Sequence, residues 1–240
     1  MMARLKMIRL DFKRSPLVFL PFPLLVVLIA WDSVYSELPA QEQVWRYGMM
    51  LCEYLPIFLL LWPMLHLNSW IGGDSAESLR AASGGRFACG PSLFLIWCLQ
   101  FLALVPALVL GWANGLDFLW ASLYVMLLWM LLLGILYALA VCFQSVALPM
   151  LLLLFYFLFG SFPGWQSEMD PEQAHFLNKL FLFDSGSISF PGREGGCTET
   201  FLAVLNAGIP YFLAGAALIL LFAFLEKKRT LCRSAEGRKA

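Results

Sequence analysis

Residues 118–141 read FLWASLYVMLLWMLLLGILYALAV, a continuous apolar run without a single charged side chain. A helix needs about 20 such residues to cross the hydrocarbon core of a bilayer. The backbone of such a run must be helical, because lipid offers no partner to a bare N–H or C=O group. This stretch therefore predicts a transmembrane helix.

The rest of the chain has the same character. Of its 240 residues 61% are hydrophobic and only 13% are charged, whereas a soluble domain carries about 25% charge. We predict an all-α, polytopic membrane protein with one transmembrane domain, residues 1–240. Gln144, Ser145 and Pro149 predict a hairpin between the fourth and fifth of its spans. The six predicted transmembrane helices are residues 16–35, 48–67, 92–113, 118–141, 146–162 and 201–225.

The basic residues predict the orientation. Cytoplasmic segments of membrane proteins are enriched in Lys and Arg. Here 13 of the 16 Lys and Arg lie in the N-terminus, in residues 68–91 and in the C-terminus, and the opposite side has only Arg46, Lys179 and Arg193. Both termini are therefore predicted to be cytoplasmic, in a multi-pass protein of the cell membrane.

The N-terminal sequence MMARLKMIRLDFKRS predicts an interfacial helix over residues 1–15. Met1, Leu5, Ile8 and Phe12 recur at the spacing of one helix face. Basic residues surround that face and suit anionic headgroups. The alternative is an ordinary positive flank that fixes the topology.

The stretch SWIGGDSAESLRAASGGRFACGPS, residues 69–92, is a polar island between two apolar runs. Asp74 is a helix N-cap candidate, and Glu77 stands at the third helical position of a capping box. Glu77 and Arg80 can pair along one face, and Gly84 or Gly85 stops the helix. A short capped helix on a cytoplasmic loop suits docking to a soluble partner. The alternative is a simple linker.

Glu53 is the one acidic residue well inside a predicted span. An intramembrane carboxylate is a functional candidate, and Arg46, on the same face, is expected to neutralise it in part. The alternative places Glu53 at headgroup depth, within an aromatic belt formed by Trp45, Tyr47 and Tyr54.

Several kinds of chemistry are not expected. The chain has no Gly-Lys step, hence no phosphate-binding G-x-x-x-x-G-K-[ST] loop. It has no metal spacing, and its two histidines, His66 and His175, are predicted on opposite sides of the membrane. We therefore expect no Ser/His/Asp arrangement, no catalytic residues, no metal and no cofactor in this chain.

The layout resembles the type-2 class of ABC transporter permeases, the membrane subunits of many bacterial exporters. The basic helix RLKMIRLDFKRSP leads into the first span, GDSAESLRAASGGRFACGPSLFL follows the second, a long outer segment (163–200) precedes the last span, and the basic tail EKKRTLCR follows it. Glu77-Ser78 replaces the family's usual glycine-threonine pair, and Gly84-Gly85 stands where a proline is usual.

The resemblance implies that the polar island contains a coupling helix, which packs into a groove of a separate ATP-binding subunit. Its body would be Asp74, Glu77, Ser78, Leu79 and Arg80, and its exit Arg86. The implied function is the permease subunit of an ATP-driven exporter, similar to the small six-span forms that give self-protection against antibiotics and lantibiotics.

The implied partners are a cytoplasmic ABC ATPase, a second permease subunit, identical or paralogous, and the bilayer of a bacterial cell; no nucleic acid is expected. Such a subunit would move an antimicrobial peptide, a drug or a lipid-like compound outward, and it would not itself be an enzyme. The alternative function is a membrane scaffold or assembly factor that transports nothing.

Overall fold

The computed structural model of the protein describes residues 2–72, 89–160 and 197–236. These residues form helices and no strand, which confirms the all-α class. The α-helices are α1 (Met2–Arg14), α2 (Pro16–Phe19), α3 (Pro21–Val34), α4 (Ala40–Leu67), α5 (Gly90–Ala103), α6 (Val105–Ala113), α7 (Leu119–Phe143), α8 (Ala147–Gly160) and α9 (Cys197–Glu236), and the π-helical turn Asn68–Gly72 continues α4.

Five segments of the described chain are long and apolar enough to cross a membrane, and each overlaps one predicted span. They are Pro16–Val34, Ala40–Ile71, Gly90–Ala113, Leu119–Phe143 and Leu202–Lys228. The predicted span 146–162 coincides with α8, which has 14 residues and a length of about 21 Å. That is shorter than the hydrocarbon core, about 30 Å thick. The count of six spans stays a prediction.

A proline inside α4 explains a polar contact in the middle of the bundle. Pro63 has no N–H group, so the carbonyl of Leu59 loses its helical partner. The amide nitrogen Nε2 of Gln100 on α5 donates to that carbonyl at 2.7 Å. The indole Nε1 of Trp129 on α7 donates to Gln100 Oε1 at 3.0 Å. Gln100 is fully buried and ties α4, α5 and α7 together.

The central helix α7 packs most closely against α9. A Cβ atom on Gly134 would lie 2.7 Å from the carbonyl oxygen of Gly215, so only glycine allows the two backbones to come this close. Gly208 packs against Leu127, about two turns before this contact on both helices. Because the paired residue numbers increase together along both helices, α7 and α9 run in the same direction. Gly215 of the last span therefore serves packing inside the subunit.

Two neighbouring side chains of α1 face the bundle. Ile8 and Asp11 are buried, and Asp11 has its polar partner on α4. Phe12 is partly exposed and stacks on Phe19 of α2, with ring centroids 3.9 Å apart. The interfacial helix stays a prediction, and the side chains of residues 1–6 lie outside the described part of the chain. The outward side chains of α1 include Arg9, Lys13 and Arg14.

Candidate functional site

The predicted coupling residues lie outside the described residues. They are Asp74, Glu77, Ser78, Leu79, Arg80 and Arg86. Glu53 belongs to α4, but its side chain lies outside the described part as well, as does residue His175. The structure describes both flanks of the polar island, residues 69–72 and 89–92, and the candidate site is built from them.

The two flanks are joined by a buried hydrogen-bonded chain. His66, one residue before the end of α4, contacts Asp11 of α1, with 2.7 Å between Nδ1 and Oδ2. Its other ring nitrogen, Nε2, lies 2.6 Å from Ser92 Oγ on the first turn of α5. All three side chains are buried. The expectation of no Ser/His/Asp arrangement was therefore wrong as a statement of geometry.

Ser69 adds a second contact from the π-helical turn. Its hydroxyl oxygen lies 3.2 Å from Asp11 Oδ1 and 3.1 Å from the Leu65 carbonyl oxygen, and the two acceptors share its single proton. Departures from α-helical geometry in such a turn often occur at functional sites. Here the turn places Ser69 beside Asp11, so the upstream flank of the island is anchored to α1 twice.

Glu226 anchors the downstream flank. Its Oε2 accepts the backbone N–H of Cys89 at 3.0 Å and the hydroxyl of Tyr137 on α7 at 2.5 Å. From sequence, Glu226 was only the first residue of the basic tail. In the structure it links the end of the last span to the start of α5 and to α7.

These contacts gather five helices, α1, α4, α5, α7 and α9, around the two ends of residues 73–88. We refer to the side chains involved as the buried polar cluster: Asp11, His66, Ser69, Cys89, Ser92, Tyr137 and Glu226. Both α1 and the end of α9 thus lie at the same end of the bundle as the polar island.

The opposite end of the bundle carries an exposed ion pair. Arg46 Nη2 lies 2.8 Å from Asp32 Oδ2, which joins the start of α4 to the end of α3. Arg46 was expected to neutralise Glu53, but the structure pairs it with Asp32. Beside it, the Tyr47 hydroxyl lies 3.0 Å from Ser122 Oγ on α7.

Chemically, the buried polar cluster is suited to hold helices together and to bind protons. The described residues contain no group of three His, Cys, Asp or Glu side chains arranged to hold a metal ion. No signal in the sequence pointed to the cluster, because His66 is 55 residues from Asp11 and 26 residues from Ser92.

No protein-family model, curated protein or solved structure matches the chain. A function is therefore inferred from the residues of the chain and their geometry alone.

Proposed function

We propose that this protein is the membrane-spanning permease subunit of an ATP-driven exporter, moved by a separate cytoplasmic ATPase that docks on the polar island. One observation carries the proposal: both ends of residues 73–88 enter the same buried polar cluster. A force on those residues would act on the ends of α4 and α5 together, because His66 and Ser92 are hydrogen-bonded to each other.

The cluster also supports transmission to the rest of the bundle. Through the backbone of Cys89 and the carboxylate of Glu226, a displacement of α5 would reach α9. Through Asp11 it would reach α1. A linker with no mechanical role has no need of buried or half-buried ionisable groups at both ends, since polar groups are costly to remove from water.

The directions of the helices support six crossings. Because α7 and α9 run in the same direction, a six-span topology needs one crossing between them, and α8 begins shortly after the left-handed residue Gln144 (φ 52°). Six crossings leave both termini on one side. The concentration of Lys and Arg at this end favours the cytoplasm.

In the proposed mechanism, ATP-driven closure of two ATPases pushes on the coupling helix of each permease subunit. The helices anchored in the buried polar cluster then tilt, and access switches between the inner leaflet and the outside. The substrate class is an antimicrobial peptide, a drug or a lipid-like compound. This subunit binds substrate and leaves ATP hydrolysis to its partner.

The test is co-purification of the tagged protein from its native membrane in mild detergent. We compare wild type with the double variant Glu77→Lys, Arg80→Glu. The matched control swaps charges at the opposite end, Asp32→Lys with Arg46→Glu. We expect an ATPase with a phosphate-binding loop to remain with wild type and the control and to be lost from the island variant.

The proposal fails if no such ATPase accompanies wild type in several detergents, or if the island variant retains it fully. Stable capture of other membrane proteins in place of an ATPase would favour the scaffold function instead.

A further inference from the structure

The donors and acceptors of the buried polar cluster limit where its protons can lie. Ser92 Oγ carries one proton and has two close partners, the Cys89 carbonyl oxygen at 2.5 Å and His66 Nε2 at 2.6 Å. A carbonyl oxygen accepts and never donates, so the Ser92 proton must lie toward Cys89. The contact with His66 therefore needs a proton on Nε2.

The other side of the imidazole ring needs a second proton. Nδ1 of His66 and Oδ2 of Asp11 are 2.7 Å apart, a distance that requires one hydrogen atom between them. That proton belongs either to the ring or to the carboxyl group. In both cases the pair of Asp11 and His66 holds two protons in total and has no net charge.

This polarity is the reverse of a catalytic Ser-His-Asp triad. In a triad, the histidine nitrogen next to the serine is bare and takes the serine proton. On this proton count that nitrogen donates to Ser92, and Ser92 is 3% exposed. The arrangement therefore does not activate Ser92 as a nucleophile.

We propose that Asp11 and His66 form a proton-binding site that holds α1 against both flanks of the polar island, and that loss of one of its two protons releases α1. With only one proton left, between His66 and Asp11, Nε2 of His66 is bare. Ser92 then faces two acceptors, Nε2 and the Cys89 carbonyl oxygen, and can donate to only one of them. The pair would also carry a buried negative charge, which is costly without a cation beside it. The release of α1 does not depend on the proposed ATPase partner.

Asp11 is the titratable side chain in hydrogen-bond contact with His66. The thiol of Cys89, the N-cap residue of α5, faces Ser92 with 3.8 Å between Sγ and Oγ. The other titratable or charged side chains that the structure describes on helices packed against α4 do not contact the ring nitrogens of His66. They are Arg9, Lys13 and Arg14 on α1, Asp32 on α3, Cys98 on α5, Tyr124, Tyr137 and Cys142 on α7, and Tyr156 on α8.

The first test observes the proton directly. The chain has two histidines, so nitrogen NMR of the ¹⁵N-histidine-labelled full-length protein in nanodiscs gives two sets of ring signals, and His66→Gln assigns one of them. We expect a protonated Nε2 in His66 at neutral pH. A bare Nε2, in protein whose residues 8–14 are protected from hydrogen exchange, would overturn the proposal.

The second test links the proton to the position of α1. Hydrogen exchange of residues 8–14, normalised to residues 124–136 of α7, should accelerate on raising the pH, in the same step in which Nε2 of His66 loses its proton. Two separate steps would overturn the link.

Two substitutions of Asp11 distinguish loss of the titrating proton from loss of the whole hydrogen-bonding group. In Asp11→Asn, the amide can donate to a bare Nδ1 while Nε2 still donates to Ser92, so α1 should remain docked and the alkaline step should disappear. In Asp11→Ala, exchange of residues 8–14 should be about tenfold faster at neutral pH, the expected effect of losing a charge-assisted hydrogen bond. The proposal is contradicted if the asparagine variant exchanges like the alanine variant or keeps the full alkaline step.

Discussion

The two ends of the helical bundle hold their helices with ionisable pairs of nearly equal length but in opposite surroundings. At the island end, His66 and Asp11 are 2.7 Å apart with side-chain exposures of 2% and 8%. At the other end, Arg46 and Asp32 are 2.8 Å apart with exposures of 41% and 50%. If one side chain is removed, water can hydrogen-bond to the remaining partner of the exposed pair but cannot reach the remaining partner of the buried pair. Burial, rather than distance, therefore decides which pair holds the fold.

The largest expected effect is at the buried end. His66→Ala leaves the Asp11 carboxyl and the Ser92 hydroxyl in place without their shared partner. Breaking a buried pair in this way costs about 3–5 kcal/mol. The free energy of unfolding in mixed detergent micelles should fall by that amount. A loss no larger than that of Arg46→Ala would contradict the difference between the two ends.

The middle of the bundle tests whether a buried hydrogen bond stabilises the fold where no charged group is involved. Gln100→Leu removes the donor to the Leu59 carbonyl and the acceptor of Trp129. Each polar group left buried without a partner is destabilising, and we expect a loss of about 2 kcal/mol. Thermal unfolding in the same micelles measures it. The control is Cys98→Ser, an exposed position on the same helix, which should leave the unfolding temperature unchanged.

A smaller effect is expected from Tyr137→Phe, which removes one hydroxyl from the buried polar cluster. Glu226 keeps its bond from the Cys89 N–H, so its carboxylate retains a partner. Interhelical hydrogen bonds in membrane proteins contribute about 1 kcal/mol, and the unfolding free energy should fall by about that much. A loss as large as that of His66→Ala would mean that Glu226, rather than His66, is the main anchor of this end.

The smallest effect belongs to the exposed end. Arg46→Gln removes the ion pair with Asp32 and should cost less than about 1 kcal/mol. At 1 M salt the screening length is about 3 Å, so the difference between variant and wild type should vanish there. A cost that persists unchanged at high salt would show that Arg46 is held more tightly than its exposure implies.

The helical class and the overlap of five predicted spans with long apolar helices could be predicted because each depends on local composition. Apolar runs of the required length mark membrane helices wherever they pack. Gln144 likewise marks the end of α7 within a few residues.

The buried polar cluster could not be predicted, because its contacts depend on how helices rotate and cross. Nothing near Asp11 in sequence distinguishes it from an acid on a solvated face. Because Pro63 has no N–H group, the sequence indicates that the Leu59 carbonyl needs another donor. No feature of the sequence around Leu59 identifies Gln100 as that donor. The pairing of Arg46 with Asp32 was missed for the same reason, since a residue on the same helix seemed the nearer partner.

We propose that a soluble ATPase docks on the island end of this bundle and not on the opposite end. Photo-crosslinking in native membranes tests this, with benzoylphenylalanine placed at position 79 in one variant and at the exposed position 112 in the other. We expect an adduct with an ATPase from position 79 and none from position 112. Adducts at position 79 with other proteins only, or with none, would contradict it.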